Sequence, residues 1–172
     1  SGTQQWVARY NGPGNSNDNA RSLALDASGN VYITGYSAGV SSGADYTTIK
    51  YNSSGVQQWL QTYNGPGNSD EDAYSLVLDA LGNVYITGYS PGSGTDVDYA
   101  TIKYNSQGTQ QWLQRYNGPG NSIDDARNVA IDTSGNVYVS GTSIGIASAR
   151  DYATIKYSQT IGIQTISSEI PS

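Results

Sequence analysis

The chain has no cysteine, no histidine, no methionine and no phenylalanine. Without His or Cys there is no usual general base, no thiol nucleophile and no soft metal ligand. That excludes Ser-His-Asp and Cys-His catalysis, zinc sites and thiol redox chemistry. Basic residues are scarce as well: eight Lys and Arg stand against fourteen Asp and Glu, for a net charge of −6 and a pI near 4.3. They are spread singly rather than clustered, so neither nucleic acid nor an anionic membrane is an expected partner. No apolar run is long enough to insert into a bilayer, and no signal peptide is evident. The chain does not start with Met, which predicts a mature product cut from a longer precursor, or a fragment.

What the 172 residues hold instead is repetition. Trp6, Trp59 and Trp112 stand 53 residues apart, and the same spacing separates the NGPGNS segments beginning at Asn11, Asn64 and Asn117 and the GNVY segments beginning at Gly29, Gly82 and Gly135. A fixed period of that size means stacked supersecondary units, none of which buries its apolar face alone. The period divides the chain into a lone segment 1–10, repeats 11–63 and 64–116, an incomplete repeat 117–160 and a tail 161–172.

Within a repeat every signal is for strand. Arg21 to Asp26 and Val31 to Ser37 are rich in β-branched, aliphatic or aromatic residues and flank a short Gly-containing turn, which predicts a hairpin. A variable Gly/Ser loop follows, then Asp45 to Tyr51, the turn NSSG, and Gln57 to Tyr63, a second hairpin. Nothing has helical periodicity. The expected fold class is all-β, with three four-stranded antiparallel blades of the propeller type.

The segments LALDASGNVYITGYS, DYATIKYNSQG and QQWLQRY resemble the bacterial β-propeller repeat family called SBBP, in which an Asp, a Gly-Asn turn and a VYxTG strand recur. The resemblance covers residues 3–157. It implies a large secreted or surface protein without an assigned reaction. The tail TIGIQTISSEIPS is similar to the linker before the C-terminal sorting domain of type IX secretion substrates, which implies an extracellular or cell-surface location.

Propellers close with roughly 4 to 8 blades, so three blades are not expected to close within one chain. Gln4, Gln5, Trp6 and Tyr10 belong to QQWVARY, which matches the repeat's fourth strand but has no third strand before it. At the other end, the third-strand segment Asp151 to Tyr157, containing Tyr152 and Ile155, is followed by Ile161 to Ile166, a fourth strand that has lost its Trp. An unpaired edge invites strand addition. These residues are the expected connectors between copies of the chain, through head-to-tail contacts that close a ring or grow a fibre.

Other polar groups are weighed against local structural roles. Asp18, Asp70, Asp72 and Asp125 lie after NGPG and are candidate calcium ligands. The spacing lacks the Gly and distal Glu of a known calcium loop, and capping of the local backbone is the favoured reading. Asp26, Asp79 and Asp132 read as hairpin anchors. Asn52 heads the single N-x-S/T glycosylation pattern. The Trp and Tyr residues of the third and fourth strands suit either a sugar-stacking platform or packing between blades, with packing favoured. Almost every polar residue has a counterpart 53 positions away, unlike a catalytic constellation, so no enzyme activity and no cofactor other than calcium are expected. The expected function is self-assembly of an extracellular structural protein. The alternatives are a glycan- or surface-binding adhesion module and a fragment of a larger closed propeller.

Overall fold

A computed structural model describes residues 1–159. It contains strands only, in three antiparallel sheets. The first comprises β1 (Asp18–Leu25), β2 (Val31–Ala38), β3 (Ala44–Tyr51) and β4 (Gln57–Tyr63). The second repeats it as β5 (Asp72–Leu78), β6 (Val84–Pro91), β7 (Val97–Tyr104) and β8 (Gln110–Tyr116). The third holds β9 (Asp124–Ile131), β10 (Val137–Ile144) and β11 (Arg150–Tyr157). Strand order follows chain order in every sheet, and no ladder joins the third sheet to the first. The expected open, three-bladed, all-β architecture is therefore observed. The degraded fourth strand expected at Ile161 to Ile166 lies outside the described residues.

The first strand of each blade is longer than the sequence suggests. The expected strand from Arg21 starts at Asp18, because a bulge between Ala20 and Ser22 shifts the register and lets Asp18 pair with Ser37. The same shift recurs between Ala73 and Ser75 and, in the third blade, opposite Ser140 and Gly141. It also explains a glycine in each second strand: a Cβ on Gly88 would lie 1.9 Å from the Asp72 carbonyl oxygen, and one on Gly35 the same distance from that of Asn19. The bulged backbone occupies the space a side chain would need.

Strand alternation gives each blade two chemically different faces. Tyr32 and Tyr46, with Trp59 and Tyr63, pack forward against Val84, Ile86, Ile102 and Tyr104 of the second blade. Tyr85 and Tyr99, with Trp112 and Tyr116, pack in the same way against Val137, Val139, Ile155 and Tyr157 of the third. An aromatic forward face thus meets an aliphatic rear face at each junction, and these two junctions form the core.

Candidate functional site

The short turns are fixed first. Asp79 Oδ1 accepts from the backbone N–H of Leu81 and Asn83, both at 2.9 Å, and its Oδ2 accepts from Asn83 Nδ2 at 2.6 Å and Tyr85 Oη at 3.0 Å. Burial pushes the carboxyl up, but these donors outweigh it and hold Asp79 below the ordinary carboxylate range. Asp26 and Asp132 repeat the arrangement. All three are hairpin anchors.

The two interior junctions share a tyrosine bond to a backbone carbonyl, and the first adds an indole and an ammonium donor. Tyr46 Oη donates to the Ala100 carbonyl at 3.3 Å, and Tyr99 Oη to that of Ala153 at 3.4 Å. The Ser106 carbonyl accepts from Trp59 Nε1 at 3.1 Å and Lys50 Nζ at 3.2 Å. The Trp59 ring lies over Gly108, where a Cβ would be 2.8 Å from it, and beside Tyr104 at 6.3 Å between centroids. The Ala100 carbonyl also accepts from Thr87 Oγ1 at 3.2 Å, so the Tyr46 hydroxyl adds a bond between blades to one made within the blade.

The N-terminal segment repeats half of this set on the rear face of the first blade. Trp6 Nε1 donates to the Ser53 carbonyl at 3.1 Å, its ring lies over Gly55 at 2.7 Å from where a Cβ would be, and its centroid is 6.4 Å from that of Tyr51. Ala8 and Tyr10 pack on Val31, Ile49 and Tyr51. The segment therefore occupies the place of a preceding blade's fourth strand, although it pairs with none of the described strands. Ser53 lacks the second donor that Lys50 gives Ser106. A cavity of about 200 Å³ opens beside Tyr10, between Asn19, Gly35 and Ile49. Gln4 and Gln5 are exposed, and Gln5 Nε2 bonds the Thr3 carbonyl.

At the opposite end no described residue forms a blade in front of the third blade's forward face. Tyr152 is 98% exposed, and Lys156 Nζ lies over its own blade's Tyr138 ring at 5.4 Å. Asp151 is also exposed, and among the described residues it accepts from the Ser148 hydroxyl alone, at 2.7 Å. Of the expected connectors on β11, Ile155 and Tyr157 instead face backward, and Tyr157 meets Trp112 at 6.0 Å. Strand alternation turns these two side chains into the second junction, while the outer backbone edge of β11 has no partner among the described strands.

The calcium candidates are placed apart, and each has another partner. Asp18 accepts from Gly12 N at 3.1 Å, Asp70 from Ala44 N at 2.9 Å, Asp72 takes a two-pronged contact from Arg21, and Asp125 pairs with Arg127. Asp18, Asp72 and Asp125 lie in strands rather than in a loop. Among the described residues no group of three or more acidic residues is placed to share an ion. Asn52 is half-buried, and its Oδ1 accepts from the N–H of Ser54 and Val56. Of the two readings of the third- and fourth-strand aromatics, packing is the one seen for the tryptophans: Trp59 and Trp112 lie between blades, with the indoles packed against Tyr104 and Tyr157.

Sequence reasoning passed over two residues. Glu71 is fully buried, with Oε1 accepting from Gly65 N at 2.6 Å and from Ser90 Oγ at 3.3 Å, while its Oε2 has no partner. Burial, with Asp45 nearby, pushes it up to about 7 against the pull of its hydrogen bonds and Arg115. Arg115 reaches Asp98 at 3.0 Å, the Ser90 hydroxyl at 2.7 Å, the Ser90 carbonyl at 2.6 Å and Tyr63 Oη at 2.9 Å. The signal was available: the fourth-strand segments end in RY at Tyr10 and Tyr116 but in TY at Tyr63.

A model of the SBBP beta-propeller repeat matches residues 5–40, 58–94 and 111–147. The chain belongs to that family. Each SBBP match begins in a fourth-strand segment and runs through the following blade's first two strands, so the repeat unit straddles a junction, and Trp6 to Tyr10 is part of the first unit. Among solved structures, a fucose lectin from Kordia zhangzhouensis in complex with methyl-fucoside is similar to this chain, with 13% identity, a TM-score of 0.48, and coverage of 81% of this chain and 96% of that one. No curated protein matches the sequence. No helix among the described residues is long and apolar enough to cross a membrane.

Proposed function

We propose that the chain is a non-catalytic structural module, working outside the cell or at its surface, that assembles with further copies of itself blade on blade. One observation carries this reading: Trp6 sits on the first blade as Trp59 sits on the second, donating to Ser53 as Trp59 donates to Ser106. The rear face of the first blade is thus made for a junction of the interior kind. The third blade offers the matching forward face, with Tyr152 exposed. An aromatic face and an aliphatic face that fit twice inside the chain fit a third time between chains. The same end-to-end contact closes a ring if its rotation allows and otherwise grows a fibre.

The test is the mass in solution of the whole chain at micromolar concentration, with electron microscopy of the particles. A mass of two or more chains is expected, with loss of assembly when residues 1–10 are removed. A strictly monomeric chain would overturn the reading and favour a piece of a larger propeller.

A second reading, glycan binding, draws on the cleft between the first and second blades. Tyr36, Tyr74 and Tyr89 line it together with Arg21 and Asp72, around a volume of about 570 Å³. Flat phenol rings beside a charged pair suit a sugar's apolar face and its hydroxyls. Retention on immobilised polysaccharide that is lost in Tyr74→Ala would support this reading, and no retention across a glycan array would remove it.

A further inference from the structure

We infer that Arg9 of one copy bonds Asp151 and Ser143 of the next, so that the QQWVARY segment becomes the fourth strand of its neighbour's third blade. The inference rests on the assembly reading above and adds the register and the residues that select it.

The second blade shows the finished arrangement. There Arg115 of β8 spans the sheet edge to Asp98 of β7 and to both oxygens of Ser90 on β6. Asp98 is almost wholly buried as a result, and its charge is met by a fixed guanidinium fork. The third blade carries the same acceptors at the same places, Asp151 on β11 opposite Ser143 on β10, just as Asp98 lies opposite Ser90. What it lacks among the described residues is the strand that brings the arginine.

The N-terminal segment has that arginine. Arg9 stands in QQWVARY where Arg115 stands in QQWLQRY, whereas the first blade's own fourth strand has Thr62 there. Arg9 is exposed, and the ion pairs among the described residues use Arg21, Arg115 and Arg127 instead. An Arg at this position therefore accompanies the sequence DYATIKY on the neighbouring strand, once within the chain as Arg115 with β7 and once as a separated pair, Arg9 and β11. The first blade has Thr62 beside DYTTIKY; the hydroxyl that meets Asp45 there, from Ser42, recurs at Asp98 from Thr95 and at Asp151 from Ser148, so the arginine is the difference. Charge complementarity thus picks β11 over β3 as the seat of the segment.

The register follows from β7 and β8, where Tyr99 faces Tyr116, Ala100 faces Arg115, Ile102 faces Leu113 and Lys103 faces Trp112. Carried to the junction between copies, Tyr10 faces Tyr152, Arg9 faces Ala153, Val7 faces Ile155 and Trp6 faces Lys156. Tyr10 then covers the exposed ring of Tyr152, as Tyr116 covers Tyr99 at 5.4 Å between centroids. Tyr152 Oη gains the Thr47 carbonyl, the counterpart of Ala100 and Ala153. Lys156 supplies the second donor that the Ser53 carbonyl lacks.

Two measurements test this on the whole chain. Charge reversal by Arg9→Glu or by Asp151→Arg is expected to weaken assembly at least tenfold, read by sedimentation, with the monomer's circular dichroism unchanged. The two changes together are expected to restore most of it. Because the chain has no native Cys, the double variant Arg9→Cys with Ala153→Cys is expected to give covalently linked chains on a non-reducing gel, from residues directly opposite in the proposed register. If the wild type assembles while the charge variants assemble equally well and no linked chains form, the register is wrong and the assembly reading stands. If the wild type is monomeric, both fall.

Discussion

β7 and β11 share the seven residues DYATIKY, from Asp98 to Tyr104 and from Asp151 to Tyr157. Both run in register with the second strand of their own sheet through all seven. Yet Tyr99 is fully buried, whereas Tyr152 is 98% exposed. The local sequence and backbone pairing are the same, so neither sets burial. The neighbours do: β7 is flanked by β8 and covered by the third blade, whereas among the described residues β11 has no strand beyond it and no blade in front. One heptapeptide thus serves as core in one place and as an open edge in the other, and an edge of that composition is a docking surface or an aggregation site.

The largest contrast should come from truncating the two tyrosines. Tyr99→Ala leaves a cavity between blades and is expected to cost about 3–5 kcal/mol in urea unfolding. Tyr152→Ala should change monomer stability by less than about 0.5 kcal/mol. Similar losses for the two would mean that Tyr152 is covered in solution even without a partner chain.

A second comparison should show no contrast. A Cβ at Gly88 or Gly141 meets a bulged carbonyl of its own blade, at 1.9 and 2.0 Å respectively. Gly88→Val and Gly141→Val are each expected to cost about 3 kcal/mol. A large gap between them would show that the end blade yields where the middle blade does not.

The first junction also predicts a pH dependence. Glu71 is pushed up to about 7 in the folded chain from an ordinary value of 4.5. Between those values the folded chain holds a proton that the unfolded chain has lost, so stability falls as pH rises through that window and is lowest above it. The fall attributable to this group is on the order of 3 kcal/mol. Glu71→Gln should flatten that part of the profile, and an unchanged profile would assign it to another group.

The smallest effect is expected at the turns, which lie outside the junctions. Asp79→Ala removes the acceptor for four donors at the β5–β6 turn and is expected to cost about 1 kcal/mol by thermal unfolding. Asp132→Ala in the end blade should cost a similar amount, because its partners are equally local.

Much of the fold was legible because its determinants are local. The Asp-anchored turns fix the first hairpin of each repeat, and strand periodicity with a constant 53-residue spacing fixes three stacked sheets. The start of the first strand was misplaced because its bulge leaves no mark on apolar alternation. Nor does the repeated second-strand glycine name the carbonyl that fills the space beside it. At the candidate docking faces, Trp6 and Tyr152 were legible as unpaired copies of interior residues. That the side chains of Ile155 and Tyr157 serve the second junction while Tyr152 stays open was not legible, because each copy of the repeat carries the same letters.

By itself the sequence determined the elements, their number and their order, since hydrogen-bonded turns and alternating side chains act within a few residues. Only the tertiary structure decided which face of each sheet points forward, which identical residues are buried, and that Trp6 lies on the first blade as if a preceding blade were there. Those outcomes depend on contacts between segments about 50 residues apart, where shape, area and unsatisfied carbonyls set the free energy, and a repeated sequence gives each copy the same local instructions whatever its neighbours.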